Sequence, residues 1–228
     1  MNGKNVEYSS HLFYPYIIKL KNETSSWTPT PHAVCLAEGM LAIGQDFDGK
    51  SVLEIGTGTG IHAILGCKLG SCSMDVTEVK KTYLDEAIAN TKLNECNFRK
   101  TMVKDWTHFI PDEAYDVLIC NPPFCKAGTE DRRWFIKQLI KDAKKFLKPS
   151  GFFIFSQSSM ADFKLTESEL THGGYSFRFL VEHRNLFRDY YFTEPGFMEE
   201  SAGVSGGYEI IDGLYVETLR AYRAWPNP

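Results

Sequence analysis

The chain has 228 residues, 43% hydrophobic and 14% aromatic, with a formal net charge of −4 and a pI near 5.9. That is enough apolar material for one good core, and the acidic balance argues against a general nucleic-acid binder. No run of about 18 apolar residues occurs, and Met1-Asn2-Gly3-Lys4 opens no charged-then-apolar leader, so the sequence predicts a single cytoplasmic domain without a membrane span.

Residues 1–29 form an aromatic-rich extension (Phe13, Tyr14, Tyr16, Trp27) that precedes the regular pattern. From residue 30 onward helical and strand patterns alternate, as in a sheet with helices on both faces. Pro31 opens a helix over 32–41 with Thr30 as its N-cap, and Gly44 or Gly49 closes the connection. A strand over 51–55 leads into a glycine loop and a short helix over 61–69. A second strand over 73–77 ends at Glu78. Residues 79–93 carry apolar side chains at helical spacing, and a third strand near 101–103 ends at Asp105. Tyr115 to Cys120 is a fourth strand. Phe135, Ile136, Leu139, Ile140, Ala143, Phe146 and Leu147 form one helical face opposite lysines 137, 141, 144, 145 and 148, and Pro149-Ser150-Gly151 stops that helix. Phe152 to Phe155 reads as a central strand, and segments near 177–182 and 213–223 supply the last two. Between them, residues 187–208 are a long connection rich in aromatic residues, among them Tyr190, Tyr191, Phe192 and Phe197. Loops of this length are usually functional or disordered, and the aromatic content speaks against disorder. Both this connection and the N-terminal extension are expected to pack over the strand ends as a lid.

Three places carry chemistry. In Val52-Leu53-Glu54-Ile55-Gly56-Thr57-Gly58-Thr59-Gly60 a buried strand runs into glycines at alternate positions, which lets backbone approach a ligand closely. The dinucleotide fingerprint is broken because Ile61 stands where its last glycine would fall, so pyrophosphate binding is disfavoured. Glu54 places a carboxylate near the loop, which suits a ligand bearing an ammonium. Glu78 can accept both hydroxyls of a ribose and is preferred over Asp75, which lies within the strand. Asp105, with Trp106 beside it, is placed to accept from an adenine amino group, or else caps a helix. The third place is Asn121-Pro122-Pro123-Phe124. Neither proline can donate to a sheet ladder, so the strand stops at Asn121 and presents its amide, the Pro122 carbonyl and the Phe124 ring at a carboxyl end. The six cysteines (35, 67, 72, 96, 120, 125) form no C-x-x-C pair and read as reduced, mostly buried thiols. The six histidines show no ligand spacing, so no metal is expected.

The order Glu54-x-Gly56-x-Gly58-x-Gly60, Glu78, Asp105-Trp106 and Asn121-Pro122-Pro123-Phe124 resembles class I S-adenosylmethionine-dependent methyltransferases. Within them it resembles the branch of release-factor glutamine N-methyltransferases and small-domain guanine-N2 rRNA methyltransferases. The resemblance covers roughly residues 28–182. It implies an α/β, Rossmann-like seven-stranded sheet with the last strand antiparallel, and S-adenosylmethionine as cofactor. Glu54, the three glycines, Glu78, Asp105, Trp106 and Asn121 would line the cofactor site. Asn121 and the Pro122 carbonyl would hold the acceptor nitrogen and Phe124 would stack on its planar group. Phe124 stands where the glutamine enzymes carry tyrosine, and Cys125 where the guanine-N2 enzymes carry histidine.

The function expected on this basis is N-methylation of a planar nitrogen on a small molecule or protein side chain. The acceptor would be enclosed by Trp27, Thr30, Tyr190, Tyr191, Phe192 and Phe197. An RNA base N-methyltransferase (guanine-N2 or adenine-N6) is the alternative, favoured by Phe124 and the lysine face. A catalytically silent binding module is the third reading. A nicotinamide oxidoreductase ranks below all three, for want of the phosphate fingerprint.

Overall fold

The structure is a computed structural model that describes residues 8–21, 29–123 and 132–228. Its core is an open twisted sheet. Strands β3 (Ser51–Ile55), β4 (Ser73–Glu78), β5 (Lys100–Val103), β6 (Tyr115–Cys120) and β7 (Leu147–Ser158) run parallel, while β10 (Leu214–Pro226) is antiparallel both to β7 and to β8 (Tyr175–Leu186). The spatial order is β5-β4-β3-β6-β7-β10-β8. A short strand, β9 (Glu209–Ile211), makes an eighth and pairs with the start of β10. Val216 pairs with Leu186 of β8 and with Glu209 of β9, so β9 lies on the edge of β10 that β7 occupies further along. The expected sheet, with its last strand antiparallel, is the one observed.

Alternation along the strands separates two apolar faces. Val52, Val76, Val117, Ile119 and Ile154 pack on one side beneath helices α1 (Pro31–Ala42), α2 (Ile61–Lys68) and α3 (Lys81–Leu93). Leu53, Ile55, Leu118, Phe153, Phe155 and Tyr222 pack on the other beneath α4 (Trp134–Asp142) and α5 (Phe163–His172). Helix α1 starts as its sequence dictates: Pro31 occupies the first turn and the Thr30 hydroxyl accepts from the Ala33 N–H at 3.4 Å. Where α1 crosses β10, a Cβ on Gly39 would stand 2.6 Å from that of Ala221, so only glycine permits this approach. No helix among the described residues is long and apolar enough to cross a membrane.

The structure corrects three local expectations. Helix α4 ends at Asp142, and Leu147 already belongs to β7. Pro149-Ser150-Gly151 is therefore not a helix stop but a bulge at the start of β7, where the register jumps from Tyr115↔Leu147 to Val117↔Phe152. A Cβ on Gly151 would meet the Tyr115 and Asp116 carbonyls at 2.9 and 3.0 Å, which is why the bulge closes on glycine. Helix α3 begins at Lys81 rather than 79, because the Val79 N–H is taken by Glu78.

The N-terminal extension is the third. Its described part is a β-hairpin of β1 (Tyr8–Phe13) and β2 (Tyr16–Lys21), and it lies against α2 and α3 instead of over the strand ends. Phe13, Ile18 and Leu20 point into the core with Leu36 and Met40. Asn94 pins β2 through both backbone groups of Lys19, its Oδ1 accepting from the Lys19 N–H at 2.8 Å and its Nδ2 donating to the Lys19 carbonyl at 2.6 Å. Trp27, expected to help enclose the acceptor, lies outside the described residues.

Candidate active site

The strand order reverses between β3 and β6, and in open α/β sheets this is where a ligand crevice opens at the carboxyl ends. Ile55 pairs with Cys120, so the next residues, Gly56 and Asn121, emerge side by side at that crevice. The glycine loop and the Asn-Pro-Pro turn, 65 positions apart in sequence, are thus one site.

Gly56, Gly58 and Gly60 have φ of +67°, +53° and +82°, a left-handed backbone costly for other residues. A Cβ on Gly56 or Gly58 would meet nothing within 4 Å, so both face open space, whereas at Gly60 it would press on Ala87 at 3.2 Å. The first two glycines form the cradle and the third lets α3 pack. Asn90 of α3 ties this loop to the hairpin, donating to the Thr59 carbonyl at 2.9 Å and accepting from the Lys21 N–H at 2.9 Å.

Glu54 was expected to face a ligand ammonium, but it does not reach the mouth. On the alternation of β3 it points toward α2, is 1% exposed, and is occupied by the Thr57 hydroxyl at 2.6 Å, the Ala63 N–H at 3.1 Å and the His62 ring at 3.1 Å. The other His62 ring nitrogen lies 2.9 Å from the Ala33 carbonyl. Glu54 therefore holds the loop's shape from behind and, through His62, fixes the start of α1 beside it.

Glu78 lies at the end of β4, where one carboxylate oxygen accepts from the Gly58 N–H at 3.1 Å and the other from the Val79 N–H at 2.8 Å. Its rival Asp75 is consumed structurally, by Arg99 at 2.5 Å, the Tyr115 hydroxyl at 2.8 Å and the Lys100 N–H at 3.0 Å. Asp105 makes the capping interaction, accepting from the Thr107 N–H at 3.0 Å and hydroxyl at 2.7 Å, and stays half exposed at the end of β5. Burial alone would raise its carboxyl, but the Thr107 bonds and neighbouring His108 outweigh that and lower it, so it remains an anion available to a donor. Trp106 is buried in the core with Leu53 and Ile55, beneath the site rather than lining it.

Asn121 is half-buried and Pro122 buried, while Phe124 lies outside the described residues. The sequence reading missed Ser156. Its hydroxyl donates to the Asn121 Oδ1 at 2.6 Å from the neighbouring strand β7, fixing the amide rotamer while leaving that oxygen a second lone pair. The signal was the switch from Phe152-Phe153-Ile154-Phe155 to Ser156-Gln157-Ser158-Ser159, a polar run at a strand's carboxyl end.

The long connection forms two short helices, α6 (Asp189–Thr193) and α7 (Phe197–Ala202), above the carboxyl ends of β7 and β8. Tyr191 and Phe197 stack at 4.5 Å and are fully buried, with Phe187 and Met160 completing a small separate core. Tyr190 and Phe192 are more exposed, at the margin of that core. The unit is fastened by the Ser159 hydroxyl donating to the Gly207 carbonyl at 2.6 Å, and by Arg132, which ion-pairs with Glu200 and lies over the Phe197 ring. Tyr191 and Phe197 therefore fill the connection's own interior, while Tyr190 and Phe192 stay at its surface.

A class I cofactor fits these residues: an unobstructed glycine cradle at the switch point, a carboxylate at the end of β4 and an exposed one at the end of β5. Comparison with known proteins agrees. The methyltransferase small-domain family model matches residues 36–170. A putative protein N5-glutamine methyltransferase of Methanocaldococcus jannaschii is 26% identical over 69% of this chain and 85% of its own length. The ribosomal protein L11 methyltransferase of Geobacillus thermodenitrificans is 28% identical over 62% of this chain, which spans only 41% of that protein. Among solved structures, a T. thermophilus 16S rRNA N2 methyltransferase in complex with S-adenosylmethionine and guanosine superposes with a TM-score of 0.63, at 16% identity over 95% of this chain and 51% of that one. The family uses S-adenosylmethionine, and with 135 matched residues the chain belongs to the methyltransferase small-domain family.

Proposed function

We propose that this protein is an S-adenosylmethionine-dependent N-methyltransferase whose acceptor is a planar nitrogen on a small molecule or a protein side chain. The observation that carries this reading is the register Ile55↔Cys120, which sets the glycine cradle beside Asn121. The cofactor would lie along Gly56 and Gly58 with its ribose toward Glu78 and its adenine toward Asp105, and it supplies an electrophilic methyl group. The chain's task is then alignment and exclusion of water. The Asn121 oxygen and the Pro122 carbonyl would accept both hydrogens of the acceptor nitrogen, draw its lone pair out of conjugation, and stabilise the positive charge that develops as the new N–C bond forms. The methyl carbon–sulfur bond would break as the new bond forms, leaving S-adenosylhomocysteine, and the proton of the methylated nitrogen would pass to solvent, because an amide oxygen and a peptide carbonyl are too weakly basic to keep it.

Two features favour a compact acceptor over RNA. The connection over the strand ends carries Arg188 against Asp189, Glu194, Glu199 and Glu200, an acidic surface unsuited to phosphates. The lysine face of the α4 segment is engaged locally: Lys145 pairs with Asp142, Lys148 with Asp116, and Lys144 donates to the Gly173 carbonyl. We infer that the 187–208 connection closes over the acceptor. Methyl-labelled S-adenosylmethionine supplied with cell fractions separated into metabolites, protein and RNA tests this reading. Label in the metabolite or protein fraction supports it, and label confined to RNA replaces it with the base-methylating alternative.

A further inference from the structure

Glu217 and His32 face each other at the carboxyl edge of the sheet in a way that neither fold nor cofactor explains. Glu217, near the start of β10, has no exposed surface, and His32, in the first turn of α1, is 7% exposed. The Glu217 Oε2 and the His32 Nε2 are 3.9 Å apart, too far for a hydrogen bond, and each lacks a hydrogen-bond partner among the described residues. Two buried polar atoms left unpaired call for an explanation, and a bound group that supplies the missing partner is one.

Their setting links them to both halves of the site. Glu217 accepts from the Tyr191 hydroxyl at 3.2 Å and lies beside Ser158, the last residue of β7. Ser158 is two residues, about 7 Å of strand, beyond Ser156, which holds Asn121. His32 precedes Ala33, whose carbonyl is held by the His62 ring beside the glycine loop. The pair thus spans from the Asn121 flank to the cradle flank, beneath α6.

We propose that Glu217 and His32 form a recognition subsite for a second N–H group of the methyl acceptor, distinct from the nitrogen held at Asn121. This rests on reading the carboxyl edge as the acceptor site. The 3.9 Å between the carboxylate oxygen and the imidazole nitrogen leaves no room for an atom on the line joining them, but a donor set to one side, such as a peptide N–H or an amino group, can face both. They repel a phosphate or carboxylate. The groups facing Glu217 are Ser158 on β7, Tyr191 on α6, His32 on α1 and the Arg188 guanidinium. Burial and Arg188 hold the His32 pKa down at about 4, and burial pushes Glu217 up to about 7 against the opposing pull of Ser158, Tyr191 and Arg188. Glu217 is therefore the group of this cluster that ionises around neutrality, and ionisation strengthens its hold on a donor.

Calorimetry on the protein loaded with S-adenosylhomocysteine tests the subsite, using N-acetylglutamine amide and guanosine as separate probes of the same N–H chemistry. The expected result is that at least one binds, that its affinity rises as pH passes through about 7, and that Glu217→Gln weakens it about tenfold and removes the pH dependence. S-adenosylhomocysteine affinity should be unchanged in Glu217→Gln and in His32→Gln. Two results overturn the proposal: neither probe binding at millimolar concentration, or Glu217→Gln binding its probe as the wild type does, which would leave the pair a packing contact between α1 and β10. Failure of S-adenosylhomocysteine itself to bind would instead strike the methyltransferase reading.

Discussion

Asn121 is the residue on which catalysis should turn. Its contact to the acceptor strengthens only as charge develops, so Asn121→Ala should lower kcat by roughly 100-fold or more while leaving S-adenosylmethionine affinity near normal. Steady-state kinetics beside calorimetry separates the two, and lost cofactor binding with normal turnover would assign Asn121 a structural role. Ser156→Ala should lower kcat less, because it frees the amide rotamer without removing the amide. Asn121 was legible because two prolines end its strand. Ser156 was not, because its role exists only through the pairing of β6 with β7. Glu54 misled for a related reason: adjacency to the loop in sequence suggested the mouth, while strand alternation turned the side chain toward α2. Glu217 carries a pH prediction. Its folded pKa lies at about 7 against 4.5 for the free group, so folding favours the protonated form. The stability this contributes is full below about pH 4.5 and is lost as pH rises through about 7. Glu217→Gln should remove that loss, and melting temperatures of the two proteins from pH 5 to 8 would diverge at the upper end.

At the scale of elements, strands β3 to β6 and helices α1 to α3 were legible to within about two residues, because most are bounded by a local signal: Thr30-Pro31, the glycine loop, the acids Glu78 and Asp105 at strand ends. The hairpin escaped because its aromatic content masked its alternation, Ile18 and Leu20 inward with Lys19 between them and Lys21 after. The bulge in β7 escaped because Pro-Ser-Gly reads equally as a helix terminator. The hairpin should matter to function through Asn90, which bonds both Lys21 and Thr59 and is fully buried. Asn90→Ala strands both partners, so we expect about 1–3 kcal/mol of lost stability and a weaker cofactor affinity, since the loop backbone loses its restraint. Denaturant titration and calorimetry read these separately. A stability loss with unchanged affinity would mean that the glycine loop holds its shape without the hairpin.

At the scale of the whole molecule, sheet order and charge decide what reaches the site. The order β5-β4-β3-β6-β7-β10-β8 puts the reversal at β3/β6, and the acidic connection sits over β7 and β8 beside it. With a net charge of −4 and Lys145 and Lys148 of the α4 segment ion-paired, acceptor binding should change little with added salt. A steep fall between about 50 and 200 mM salt would instead indicate phosphate contacts. The sequence made the cradle and the Asn-Pro-Pro turn legible as separate motifs, but their meeting is a property of strand order. The central claim, that the cofactor lies on the Gly56–Gly58 backbone beside Asn121, is tested most directly by titrating S-adenosylhomocysteine into the wild type and Gly58→Val. At a φ of +53° valine strains the backbone, and its side chain would occupy the open space of the cradle. The account predicts that the wild type binds S-adenosylhomocysteine and not NADH, and that Gly58→Val stays folded and binds neither. Tight binding of NADH by the wild type, or undiminished binding of S-adenosylhomocysteine by Gly58→Val, would contradict it.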